Sequence, residues 1–506
     1  MTADGMDSDT GAGGTPSAAS ESPEPAADIS EPVTAEPASE SPEAAASESA
    51  EPAAQPPEAA ASESAEPAVQ LLRTPRDGTP RPLTTEAELA EAAAGLAAGH
   101  GPVAIDAERA SGYRYSQRAY LVQLRRAGYG TVLIDPIPLP DLSSIDRALG
   151  DAEWILHAAS QDLTCLAELG MRPRRLFDTE LAGRLLGSER VALGTMVEQY
   201  LGISLEKGHS AADWSTRPLP SDWLNYAALD VELLIELREV LVTELKRTGK
   251  LEWAEQEFAA VLNAGPAVPR SDPWRRTSGI HNLRSRRQLA MVRALWQARD
   301  RLAAERDVAP GRTLPDAAIL AAVKANPKSV SDLGNVTIFN GPRQRRLANY
   351  WFSALNEGRE TPDDQLPSLA QTTADPDAMP SPARWREKDP AAARRLVACK
   401  QVVNEIAAQH QLLSQNLLAG DVIRRLAWRS VSPATEDNVR ARLAELGARP
   451  WQVDLLASRL LSALVAPPPA LADPALADPA LSDPGLSDPA LSDPGLSDPP
   501  AEDPPG

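Results

Sequence analysis

The sequence predicts an α/β domain, a mixed sheet flanked by helices, followed by two all-α helical modules and enclosed by two disordered tails. Three observations carry this prediction. Short apolar strands alternate with helical patterns across residues 71–262; helix-period patterns alone fill 274–359 and 383–465; and composition changes abruptly at both ends of the chain.

The first tail, residues 1–70, holds 15 Asp/Glu and no Lys or Arg. It repeats Ser-Glu-Ser-Ala-Glu-Pro-Ala at Ser47–Ala53 and Ser62–Ala68, without aromatics. Such a stretch cannot bury enough apolar surface to offset chain entropy. The second tail, 466–506, carries six Ala/Gly-Leu-Ala/Ser-Asp-Pro units from Ala470 to Pro499, with 8 acidic residues and no basic one. A proline every fifth residue forbids a continuous helix or central strand. The formal charge of −21 therefore belongs to the tails, because 71–465 holds 48 acidic against 50 basic residues. Acidity of the whole chain does not exclude a nucleic-acid partner. Cys165 and Cys399 are too few for a disulfide scaffold or a cysteine zinc site. The N-terminus lacks a secretory pattern and no apolar run spans a bilayer, so the expected location is cytoplasmic.

Within the first domain, VAIDAE (103–108) reads as a strand after Gly-Pro. Residues 120–126 and 131–136 read as a hairpin joined by Ala-Gly-Tyr-Gly, and WILHA (154–158) as a fourth strand. Ser160 is the expected N-cap of the next helix. Helices are expected at 178–187 and 193–201, then one long helix from Ser221 to about Lys246.

Strand alternation puts Asp106 and Glu108 on one face, which is costly unless positive charge sits between them. Tyr226 and Asp230 are spaced i, i+4 and share a helix face. Asp162 lies in a first helical turn just after a strand end, where open α/β sheets place ligands. Carboxylates without a supply of His or Cys suit hard cations such as Mg²⁺ or Mn²⁺. Two such ions about 3.5–4 Å apart can activate water and stabilise a leaving oxygen. Each pair alone is common in proteins; order and spacing together carry the weight.

IDAE (105–108), HAASQDL (157–163) and YAALD (226–230) resemble the three exonuclease motifs of the DEDD superfamily in its tyrosine branch. Gln117–Leu124, Phe177-Asp178-Thr179 and Asp213–Leu219 sharpen the likeness to ribonuclease D, over about 80–250. The resemblance implies a ribonuclease-H-like exonuclease domain using two divalent cations, Mg²⁺ or Mn²⁺. Asp106 would bridge the ions, Glu108 and Asp230 would complete the site of the water-activating ion, and Asp162 would hold the second. Tyr226 would orient the attacking water. The implied reaction is 3′→5′ hydrolysis of RNA, releasing nucleoside 5′-monophosphates, with tRNA precursors among the expected substrates.

Gln123, His157, Trp214 and Arg217 are candidate substrate contacts, each set against a plain packing role. In 274–359, an amphipathic helix and the Pro327, Ser329, Leu333 pattern resemble the helicase-and-RNase-D C-terminal (HRDC) domain, a helical nucleic-acid-binding module. Residues 383–465 read as a second, HRDC-like copy. Leu302-Ala303-Ala304, Leu314 and Ile319 recur as Ile406-Ala407-Ala408, Leu418 and Ile423, always 104 residues on. Arginine outnumbers lysine 43 to 7 and clusters at Arg275, Arg276, Arg284, Arg286 and Arg287, then at Arg343, Arg345 and Arg346. Its planar fork suits phosphate, so the last three are candidate RNA contacts. The expected partner is the single-stranded 3′ end of a structured RNA. A DNA exonuclease, or a non-catalytic RNA-binding scaffold on the same fold, remain the alternatives.

Overall fold

The computed structural model describes residues 70–206, 208–209, 211–265, 271–369 and 379–465. The tails expected at 1–69 and 466–506 lie outside them. Gln70, assigned to the tail by composition, opens the first strand instead.

Strands β1 (Gln70–Leu72), β2 (Pro82–Leu83), β3 (His100–Arg109), β4 (Ala119–Ala127), β5 (Gly130–Ile134), β6 (Glu153–Leu156), β7 (Arg175–Asp178) and β8 (Ile203–Leu205) form two sheets. The larger runs β2-β5-β4-β3-β6-β7, and β1 pairs with β8. The expected hairpin is β4–β5, antiparallel, while β3 runs antiparallel to β4 and parallel to β6. The sheet is therefore mixed, with β3 near its centre. Val103, Ala104 and Ile105 are all buried, as a strand covered on both faces requires.

Helices α1 (Glu86–Ala98), α2 (Ser143–Leu149), α3 (Leu163–Glu168), α4 (Thr179–Leu185), α5 (Leu193–Leu201), α6 (Ser221–Glu232), α7 (Leu234–Arg247) and α8 (Leu251–Leu262) cover this sheet. Two expectations fail here. The long helix is two, broken at Leu233. The break lets Leu233 and Leu234 both bury while Glu232, fully buried, meets Arg125 at 3.1 Å. Ser160 does not cap α3; it sits in a 3₁₀ turn, Ala159–Gln161, and Asp162 takes the cap position. The turn's N–H groups at Ala158 and Ala159 go instead to the Asp178 carboxylate, at 3.2 and 2.8 Å.

The next module comprises α9 (Arg286–Arg306), α10 (Pro310–Thr313), α11 (Asp316–Ala325), α12 (Val330–Gly334), α13 (Pro342–Arg346) and α14 (Ala348–Glu360). After it come α15 (Trp385–Lys388), α16 (Pro390–Gln409), α17 (Ser414–Leu417), α18 (Gly420–Trp428), α19 (Glu436–Glu445) and α20 (Pro450–Val465). The 104-residue repeat is structural. Helices α16, α17 and α18 begin 104 residues after α9, α10 and α11, and Leu302/Ile406, Leu314/Leu418 and Ile319/Ile423 are buried in both copies.

The copies differ in how they attach. The α9–α14 module has its own core, built around Trp351, Phe339 and Val292. It meets the α/β domain through polar contacts at the β3–β4 loop: Ala309 N donates to Tyr113 O (2.9 Å), Arg312 Nε to Gly112 O (2.8 Å) and Ser116 N to Asp307 Oδ1 (2.8 Å). The α15–α20 module shares one continuous apolar core with the α/β domain. Trp451 stacks on Trp253 of α8 with centroids 4.7 Å apart, and the buried Lys250 ammonium donates to Leu185 O and His410 O, both at 2.7 Å. Among the described residues, no helix is long and apolar enough to cross a membrane.

Candidate active site

Asp106 and Glu108 project from the carboxyl end of β3, and Asp230 faces them from α6. Ligand oxygens of these three carboxylates lie within 4.8 Å of one another. Asp162 stands beside them at the start of α3, 6% exposed, with Arg109 Nε 3.7 Å from its Oδ1. Its side chain makes no capping bond, so α3 does not draw the carboxylate away from the site.

Burial raises all four carboxyl pKa values, those of Glu108, Asp162 and Asp230 well above the ordinary range. Mutual repulsion adds to the effect: Asp106, Asp230 and Asp162 raise Glu108, and Asp106 raises both Asp162 and Asp230. Arg109 opposes this at Asp106, Glu108 and Asp162, but one guanidinium cannot balance four anions. An oxygen-only, strongly negative, largely buried donor set fits divalent hard cations, and the fold implies their use.

Tyr226 lies one turn before Asp230 on α6, and its hydroxyl hydrogen-bonds the Asp230 carboxylate. Burial, followed by Asp230, Glu108 and Asp106, raises its pKa, so the phenol keeps its proton. His209 packs edge-on to the Tyr226 ring, with centroids 6.1 Å apart, and pairs with Asp222. Helix α6 is held down from outside by residues 73–79: Asn225 donates to Arg73 O (2.7 Å) and accepts from Thr79 Oγ1 (2.9 Å).

The other candidate contacts fare differently. Trp214 is fully buried, packed with Trp223, Tyr120, Leu121 and Leu133 between α6 and the sheet, so it cannot stack a base. Arg217 is consumed within the protein. Its guanidinium binds Asp135 and the carbonyls of Trp214, Thr216 and Tyr120. Gln123 is fully buried, which rules out substrate contact. His157 is half-buried, its Nδ1 2.9 Å from Thr179 Oγ1; desolvation lowers its pKa to about 4, so it is neutral near pH 7.

Arg343, Arg345 and Arg346 are exposed on α13, with no side-chain partner among the described residues. Gln344 between them is buried, donating to Thr313 O (3.0 Å) and accepting from Trp351 Nε1 (2.8 Å). That anchor turns the flanking arginines to solvent. Arg275, Arg286 and Arg287 instead bind carbonyls of Ser368, Leu366 and Arg359. Sequence reasoning missed Arg109 and Asp178. The signal for Arg109 was its place directly after the acidic strand motif; Asp178 read only as a motif flank.

Residues 80–246 match the family described as 3'-5' exonuclease, 288–355 the HRDC domain, and 378–464 the 3' to 5' exonuclease C-terminal domain. The chain is thus a hydrolytic 3′→5′ exonuclease with one HRDC domain, a nucleic-acid-binding module, and an exonuclease C-terminal domain. A ribonuclease D of Jannaschia sp. (strain CCS1) is 33% identical over 301 residues, covering 57% of this chain and 77% of that one. A crystal structure of a protein from Bifidobacterium adolescentis superposes with TM-score 0.73 at 39% identity, covering 78% and 100% of the two chains. Escherichia coli RNase D, described as an exoribonuclease involved in structured RNA processing, superposes with TM-score 0.57 at 26% identity, covering 77% and 99%. The chain belongs to the ribonuclease D family.

Proposed function

We propose that this protein is a two-cation 3′→5′ exoribonuclease that trims the 3′ ends of structured RNA, tRNA precursors included, in the cytoplasm. The observation that carries this reading is the convergence of Asp106, Glu108 and Asp230 within 4.8 Å, beside Asp162 and Tyr226. Asp106, Glu108 and Asp230 would hold one cation, and Asp162 with Asp106 a second. Mg²⁺ or Mn²⁺ bound there supplies Lewis-acid polarisation of the phosphodiester and lowers the pKa of an attacking water.

The remaining work falls to the chain itself. Tyr226, protonated and tied to Asp230, positions a water by hydrogen bonding. The Trp214 cluster keeps α6 seated on the sheet, so that Tyr226 and Asp230 keep their distance from Asp106 and Glu108. In the domain scheme 71–262, 274–359 and 383–465, the first domain cuts. The exposed arginines of α13 grip the RNA body, and the last module braces the catalytic domain through their shared core.

The test is degradation of 5′-labelled RNA and DNA of one sequence, with Mg²⁺ or Mn²⁺. A stepwise ladder from the RNA 3′ end, releasing nucleoside 5′-monophosphates, is expected. Preference for DNA would overturn the sugar assignment. Tyr226→Phe should lower kcat roughly 10²-fold, the scale of losing one positioning contact, with Mn²⁺ affinity unchanged.

A further inference from the structure

Gln123 sits in the middle of β4, fully buried, yet neither Nε2 nor Oε1 has a hydrogen-bond partner among the described residues. A buried, unpaired amide destabilises a fold, and an apolar side chain of similar size avoids that cost. Two of its neighbours on that face are apolar. Leu133 is the register partner of Gln123 on β5, and Leu121, two residues earlier, packs in the Trp214 cluster. Arg125, two residues later on the same face, does have a hydrogen-bond partner, Thr131 Oγ1 at 2.8 Å.

On its other side, the register partner of Gln123 is Asp106. Directly opposed residues of antiparallel strands present their side chains to one face, with Cβ atoms about 4.5–5.5 Å apart. The Gln123 amide therefore lies on the same sheet face as the Asp106 carboxylate, under α6. Asp106 is the polar group that β3 sets directly across from it.

We infer that Gln123 is a positioning residue for Asp106. Its Nε2–H group donates to the Asp106 carboxylate when that carboxylate turns to hold a divalent cation, and so fixes the orientation of the liganding oxygens. The inference rests on the reading that Asp106 holds a cation. It explains why a glutamine stands where leucine would fit: Asp106, directly across the strand pair, gives the buried amide an acceptor.

The test uses the full chain, measuring Mn²⁺ affinity by titration calorimetry without RNA and the melting temperature in EDTA. Q123L and Q123M should melt in EDTA at or above the wild-type temperature, yet bind Mn²⁺ about 10–100-fold more weakly, the usual effect of losing a group that orients a ligand. Binding within twofold of wild type in both variants would overturn the inference. So would a clear fall in EDTA melting temperature in both, which would show that the amide has a partner without the cation. Asp106→Ala separates a failure at Gln123 from a failure of the cation site. If wild type binds no Mn²⁺, or Asp106→Ala binds it equally well, the cation reading itself fails and the role of Gln123 falls with it.

Discussion

Arg217 closes on Asp135 in a bidentate pair, Nε to Oδ2 at 2.7 Å and an η nitrogen to Oδ1 at 2.8 Å. The pair fastens the loop before α6 to the end of β5, and with it the start of the helix that carries Tyr226 and Asp230. Asp135 is buried, while the Arg217 side chain keeps 28% of its exposure. Arg217→Ala should therefore cost on the order of 3 kcal/mol, the low end for stranding one partner of a buried pair. Urea unfolding measures this. A variant of unchanged stability but weakened RNA affinity would instead return Arg217 to the substrate side.

The raised carboxyl pKa values make stability depend on pH in a definite direction. Burial lifts Asp178 to about 6, despite the N–H groups of Ala158, Ala159, Glu180 and Leu181 that favour its anion. Asp106, Glu108, Asp162 and Asp230 are raised as well. Between an unfolded carboxyl value near 4 and these folded values, the folded chain binds more protons than the unfolded one. Without divalent cations, stability should fall as pH rises through that window. His157, lowered to about 4, titrates in the opposite sense, so the diagnostic is a difference between proteins. In EDTA, the melting temperature of wild type should fall more steeply from pH 5 to 8 than that of Asp106→Asn. Equal slopes would contradict the cluster's electrostatics.

The α13 arginines should carry salt-sensitive affinity. Replacing Arg343, Arg345 and Arg346 together by alanine should weaken RNA binding and reduce the slope of log K against log salt by about 2, at about 0.7 per phosphate on a single strand. Hydrolysis of a short oligonucleotide too small to reach α13 should keep its kcat. An unchanged salt slope would remove α13 from the RNA path.

Each half of the carboxylate cluster was legible in the sequence because its geometry is local, while their meeting was implied by the family resemblance. Two-residue alternation puts Asp106 beside Glu108, and one helical turn puts Tyr226 beside Asp230. The β4–β5 hairpin was legible for the same reason, and the 104-residue repeat because self-similarity at a constant offset is a property of the sequence itself. What was not legible depends on distant partners. A loop tryptophan and arginine look the same in sequence whether they face RNA or, like Trp214 and Arg217, are absorbed by Tyr120 and Asp135. The break at Leu233 hides in an unbroken apolar pattern, since the Arg125–Glu232 contact at the end of α6 joins segments 107 residues apart. The two helical copies share a pattern but not an attachment, because the Trp253–Trp451 stack and the Lys250–His410 bond span 160 residues or more.

The most direct measurement is the rate of terminal nucleotide release from a 5′-labelled RNA under single-turnover conditions, comparing wild type with Asp106→Ala in Mg²⁺ or Mn²⁺. The account predicts a one-nucleotide ladder from the 3′ end in wild type, abolished by EDTA. Asp106→Ala should lower the rate by at least about 10³-fold, given several kcal/mol of lost transition-state stabilisation, while RNA affinity is kept. A ladder of equal rate in Asp106→Ala, or cleavage that persists in EDTA, would contradict the placement of the reaction at this carboxylate cluster.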